Sequence, residues 1–104
     1  MHVKSAIQII EQPVTPDSIT YYEDNYCEII LSCTAKNATH CIWYYQMNSM
    51  PVAFGGNQSI IEELDNGNLR STILINNFKY SQLKSIRFYC RWMNDYTSYY
   101  VQSL

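Results

Sequence analysis

Most of what a catalytic or nucleic-acid-binding chain needs is scarce here. The two histidines, His2 and His40, stand in no pattern with serine or cysteine that would activate a nucleophile, so enzymatic chemistry is not expected. Lysine and arginine total 7 against 9 acidic residues, for a formal net charge of -2. The basic residues form no cluster, which removes nucleic acid and anionic membrane from the expected partners. No apolar run approaches the roughly 20 residues that cross a bilayer, and the first residues lack the charged-then-apolar layout of a secretory signal. There is no internal repeat, no low-complexity tract and no long helical pattern. Metal and cofactor sites are not expected either. Asp24, Asp65 and Asp95 fall in separate turns without the pattern of a calcium loop, and His40 with Cys41 lacks the paired spacing of a zinc site.

What is present is β-strand patterning. With 104 residues the chain has the length of one domain with one core, and its immediate start into a strand implies a domain excised from a larger, multidomain protein. Cys27, Ile29, Leu31 and Cys33 alternate at period two, as a strand with one buried face requires. The runs 41–46, 70–76 and 86–92 are rich in aromatic and β-branched residues and predict three further strands. Residues 60–64 form the only short helical candidate but lie where a further strand would run, and Asp65, Asn66, Gly67 and Asn68 form a strong hairpin-turn signal next to them. The expected fold class is all-β.

The spacing of Cys33, Trp43 ten positions on and Cys90 resembles the skeleton of an immunoglobulin superfamily domain, of I-set or V-like type. The resemblance covers nearly the whole chain. Residues 10–13 look like the family's first strand and 19–25 like the run into a polar turn. Ile29-x-Leu31-x-Cys33-x-Ala35 and Trp43-Tyr44 match its B and C strands, Ile73-x-Ile75 followed by Phe78 its E strand, and Phe88-x-Cys90 its F strand. Such a domain is a two-sheet antiparallel sandwich in which Trp43 and Phe88 are core residues. The resemblance implies a Cys33–Cys90 disulfide, with Cys27 and Cys41 left free. Four cysteines allow three complete pairings; Cys27, roughly 20 Å along the strand from Cys33 at about 3.3 Å per residue, is poorly placed to bridge to Cys41. Three features depart from the family. Phe88 replaces the tyrosine whose hydroxyl makes the tyrosine corner, the turn over 81–85 is longer than usual and lacks its acidic residue, and only 36–40 remain for the B–C loop.

Function then turns on surface chemistry. Ten tyrosines exceed what a sandwich core uses. With Trp43, Phe88 and Cys90 inward, strand parity turns Tyr44 and Tyr89 outward on the C–F–G sheet. Arg91, Tyr96, Tyr99 and Tyr100 lie on or near the same sheet. Tyrosine and arginine at this density have the composition of a protein-binding hot spot, although cross-strand pairing of the rings would also account for them. Asn37-Ala38-Thr39 and Asn57-Gln58-Ser59 are glycosylation sequons in expected loops. They favour an extracellular or cell-surface location, whereas two spare thiols are ordinary in a cytoplasmic protein. Two function classes follow. One is a receptor or adhesion module that binds a protein ligand, or a copy of itself in weak self-association, with some similarity to cytokine and interleukin receptor modules. The other is an intracellular scaffold module of muscle-filament or paracaspase type.

Overall fold

The alternating run around Cys33 grows into an eleven-residue strand, β3 (Tyr26–Lys36), and organises one of two sheets in the computed structural model, which describes residues 6–12, 18–48, 50–55 and 58–102. Its other members are β1 (Gln8–Glu11), β2 (Ser18–Tyr21), β6 (Ser59–Glu63) and β7 (Leu69–Lys79). The order is β1-β3-β7-β6, with β2 also paired to β3. The second sheet runs β5-β4-β8-β9, from β4 (His40–Gln46), β5 (Val52–Ala53), β8 (Arg87–Met93) and β9 (Ser98–Gln102). All pairings are antiparallel. This is an all-β, immunoglobulin-like two-sheet sandwich: the two sheets correspond to the ABED and CFG layers of that architecture, with β5 added beside strand C.

Parity builds the core. β3 sends Cys27, Ile29, Leu31, Cys33 and Ala35 inward, β7 sends Ser71, Ile73 and Ile75, and β8 sends Phe88, Cys90 and Trp92. A register shift between the Cys27–Phe78 and Ile29–Ile75 pairs advances β7 by one extra residue, and this bulge returns Phe78 to the inner side. There the Cys27 thiol donates to the Phe78 carbonyl at 3.7 Å, and burial pushes that thiol's pKa up. Cys27 is thus the small buried residue that strand parity requires. Phe78, Phe88, Phe54 and Tyr45 close this end of the sandwich as a ring cluster, with centroid separations from 5.0 Å for Tyr45–Phe54 to 6.2 Å for Phe54–Phe88. Phe88 contributes a ring to that cluster and has no hydroxyl with which to make a tyrosine corner.

Two indoles tie the sheets together. Trp43, on β4, is 1% exposed and donates from Nε1 to Ser71 Oγ on β7 at 2.8 Å. Trp92, on β8, is 0% exposed and donates from Nε1 to Cys33 Sγ on β3 at 3.0 Å. Each buried N–H therefore finds an acceptor on the facing sheet, which removes the penalty of leaving it unpaired.

The Cys33–Cys90 pair expected to form a disulfide is unbridged in the structure, as are Cys27 and Cys41. Cys33 and Cys90 do face one another across the sandwich, each close enough to shift the other's titration. The Cys90 thiol, assisted by the Trp92 indole and opposed by burial, holds Cys33 below the usual thiol range. Hydrogen bonding to Cys33 and then to Cys41, together with burial, pushes Cys90 far above it.

The turns follow local chemistry. Asn25 and Asn37 adopt positive φ, at 65° and 64°, which asparagine tolerates better than most residues. Gly67, at φ 84°, closes the β6–β7 hairpin with Gly67 N–H donating to Leu64 O at 2.9 Å. The long turn before β8 is a 3-10 helix, Tyr80–Ser85, started by Lys79 N–H donating to Gln82 Oε1 at 2.8 Å.

Replacing Trp43 by alanine is expected to cost about 3–5 kcal/mol as a core truncation. Ser71→Ala, which strands the indole N–H, is expected to cost about 1–3 kcal/mol. Denaturant titration reads both, with Ser98→Ala on the surface as reference; a Ser71→Ala midpoint equal to the reference would show that the indole bond contributes nothing.

Candidate protein-binding face

The inward set on β4 and β8 decides what their outer faces carry. Trp43 pairs with Cys90, Tyr44 with Tyr89 and Ile42 with Arg91, so the residues between the core positions line up across the outer surface of the second sheet. β9 extends the row, with Arg91 opposite Tyr100 and Tyr89 opposite Gln102. Tyr44, Tyr89, Arg91 and Tyr100 are thereby gathered into one patch. The Tyr44 and Tyr100 rings lie 5.9 Å apart at a tilt of 51°. The Arg91 guanidinium sits 5.4 Å from the Tyr100 ring centre, within the range of a cation–π contact. A hydrogen bond with the Tyr44 phenol, followed by the charge interaction with Tyr100, holds the guanidinium above its ordinary range. Tyr89 donates its hydroxyl to Gln46 Oε1 at 3.0 Å. The rings and the charge are braced by one another, so little side-chain freedom remains to be lost when a partner docks.

Tyr96 and Tyr99 stand apart from this patch. Tyr96 is 80% exposed at the tip of the β8–β9 turn. Asn94 Oδ1 accepts from Tyr96 N–H at 2.8 Å and Thr97 N–H at 2.9 Å, an Asx-type brace. Tyr99 pairs with Trp92, so it takes the parity of Val101, although it is 53% exposed.

The strands of the second sheet carry Arg87 and Arg91 but no Asp or Glu. A polar cleft of about 410 Å³ adds Lys84 beside Arg87. On the other sheet Arg70 lies between Glu62 at 3.7 Å and Glu11 at 3.9 Å, so that guanidinium is answered within the chain. Among the described residues Arg87 and Arg91 have no such ion pair. The aromatic face therefore presents positive charge to an incoming surface.

A second cavity, of about 280 Å³, opens beside β4 and β5 and is walled by Trp43, Phe54, Cys41 and Ser59 among others. It offers a thiol and a hydroxyl with apolar walls. Among the described residues no group of three or more His, Cys, Asp or Glu is arranged to hold a metal ion.

Of the two sequons, Asn57 lies outside the described residues. Asn37 is exposed on the β3–β4 connection, where its Nδ2 donates to Ala6 O at 3.0 Å. Asn94 Nδ2 donates to Asn37 O at 2.8 Å, and the Thr39 hydroxyl donates to Met93 O at 3.2 Å. The acceptor amide is thus at the surface, with one bond from its two N–H donors given to Ala6 O.

Reading the sequence alone missed the Trp92–Cys33 bond and the approach of Cys41 to the Cys33–Cys90 pair. The shared parity of Cys41 and Trp43 was the available signal for the second. Cys41 is half-buried, whereas Cys27, Cys33 and Cys90 are sealed in the core. A thiol reagent added to the reduced native chain is expected to modify Cys41 first, the other three only on unfolding; native labelling that persists in Cys41→Ser would contradict this placement.

No known protein-family model matches the chain, and no curated protein aligns with it significantly.

Proposed function

We propose that the chain is a non-catalytic protein-binding module of the immunoglobulin superfamily, belonging to a cell-surface receptor or adhesion protein. It recognises its ligand through the outer face of β4, β8 and β9. The observation that carries this reading is the braced patch of Tyr44, Tyr89, Arg91 and Tyr100. Rigid aromatic rings bury large area at low entropic cost, and an arginine with no acid in its own sheet favours a partner that brings a carboxylate. The mechanism is docking of a preformed surface, without chemistry. Arg87 and Lys84 at one end of the face extend the same preference and act mainly on the rate of encounter.

A second reading draws support from the four unbridged thiols: an intracellular immunoglobulin module used for assembly, in a compartment that keeps cysteines reduced. The two are separated by peptide mapping of the native protein from its own cells without reduction. A Cys33–Cys90 linkage with glycan on Asn37 or Asn57 supports the receptor reading; four thiols and bare asparagines support the scaffold.

The face itself is tested in either setting by capturing the partner from those cells with the folded chain. Tyr44→Ala and Tyr89→Ala are each expected to weaken capture by about 1–3 kcal/mol, as truncation of hot-spot rings does, with the circular dichroism spectrum retained. Undiminished capture by both variants would remove this face from consideration.

A further inference from the structure

The edges of the two sheets are unequally protected. A free strand edge presents unpaired N–H and C=O groups, and folded proteins blunt such edges with charge, proline, bulges or shortness. β5 is two residues long and follows Pro51. β6 carries Glu62 and Glu63. β1 is interrupted by a register shift and ends at Glu11, and β2 is four residues long, bracketed in sequence by Asp17 and Glu23. β9 has none of these devices. Its five residues, Ser98, Tyr99, Tyr100, Val101 and Gln102, include no charge and no proline, and among the described residues it pairs with β8 alone.

The β9 sequence is also complementary to itself. Two copies run antiparallel about a two-fold axis at Tyr100, the middle residue, place Ser98 opposite Gln102, Tyr99 opposite Val101 and Tyr100 opposite Tyr100. Polar residues then meet on the outer face, an aromatic ring meets a β-branched residue on the inner side, and a Tyr–Tyr pair sits at the centre. Such cross-strand pairs stabilise antiparallel sheets. With no charge on the strand, no like charges oppose each other across the axis. We propose that β9 is a self-association edge, through which a second copy of this chain adds strand to strand and joins two four-stranded sheets into one. This inference does not depend on the ligand-binding role of the outer face. A five-residue edge buries much less than the roughly 1,200–2,000 Å² of a stable complex, so the dimer is weak, forms reversibly at high local concentration, and matches crowded copies better than dilute ones.

The test is sedimentation equilibrium of the folded chain from about 10 μM to about 1 mM, the range of weak association. The average mass is expected to rise from 12.2 kDa toward twice that value, and a chain that stays monomeric throughout overturns the proposal. Ser98→Lys with Gln102→Lys sets lysine opposite lysine on both sides of the axis and is expected to weaken association at least tenfold. Ser98→Lys with Gln102→Glu sets lysine opposite glutamate and is expected to restore it. Association unaffected by the double lysine, or lost in both variants, overturns the pairing. Should the variants not fold, hydrogen exchange in the unaltered chain decides: the amides of residues 98–102 are expected to gain protection with concentration, and unchanged protection overturns the proposal.

Discussion

The two indole hydrogen bonds between the sheets are the constraint on which the rest of the sandwich depends. Apolar contact alone holds two sheets face to face but leaves them free to slide, because the hydrophobic effect has no direction. Trp43 Nε1 on Ser71 Oγ and Trp92 Nε1 on Cys33 Sγ add direction at two separated points, one joining β4 to β7 and the other β8 to β3. A slip of either sheet would strand both buried donors. The Cys33–Cys90 thiol pair lies in the same layer, so the central contact between sheets is polar at three places inside an apolar shell. Buried polar groups that are satisfied in only one arrangement can specify it more sharply than apolar packing does.

How much of this was legible depended on whether a signal was local. The inward sets of β3, β4 and β8 could be read because each alternates at period two over several residues, and one cysteine–tryptophan–cysteine skeleton fixed their parity together. β5 could not be read: a strand of two residues has no period, and it exists because Tyr44 and Tyr45 supply a partner edge to Ala53 and Val52. The extension of β7 to Lys79 was hidden by the bulge after Ile75, which breaks the alternation just where Phe78 re-enters the core. The turn over 81–85 was recognised as too long, but its 3-10 form rests on the Lys79–Gln82 bond, which has no sequence signature here. The strand over 10–13 was placed two residues late, since β1 begins at Gln8, and Pro13 lies outside the described residues.

The candidate face was legible in part for the same reason. Tyr44 and Tyr89 follow from the parity of Trp43 and Cys90. Their contacts do not, because they depend on how β8 registers against β9 and so on the length of the 94–97 turn. That turn brings Tyr100, rather than Tyr99, opposite Arg91. One residue more would have carried Tyr100 to the inner side and placed Tyr99 over the guanidinium, and one fewer would have placed Val101 there. The Asn94 brace on Tyr96 and Thr97 therefore sets the composition of the face as well as the geometry of the turn.

The free thiols and the aromatic face are linked through β4. Cys41, Trp43 and Tyr45 form its inner row, and Ile42, Tyr44 and Gln46 its outer row, so each change on one side is felt one residue away on the other. Tyr44 is held between Tyr100 and Arg91 on the outside, while its neighbours Trp43 and Tyr45 are held by Ser71 and by the Phe54–Phe78 ring cluster on the inside. The outer rings are thus anchored through the backbone to the most buried part of the molecule. A ring set on such a strand keeps its orientation without needing further support at the surface. Rigidity of the face is consequently a property of the core beneath it, and the residues that position the face and those that stabilise the fold lie on opposite sides of the same strand.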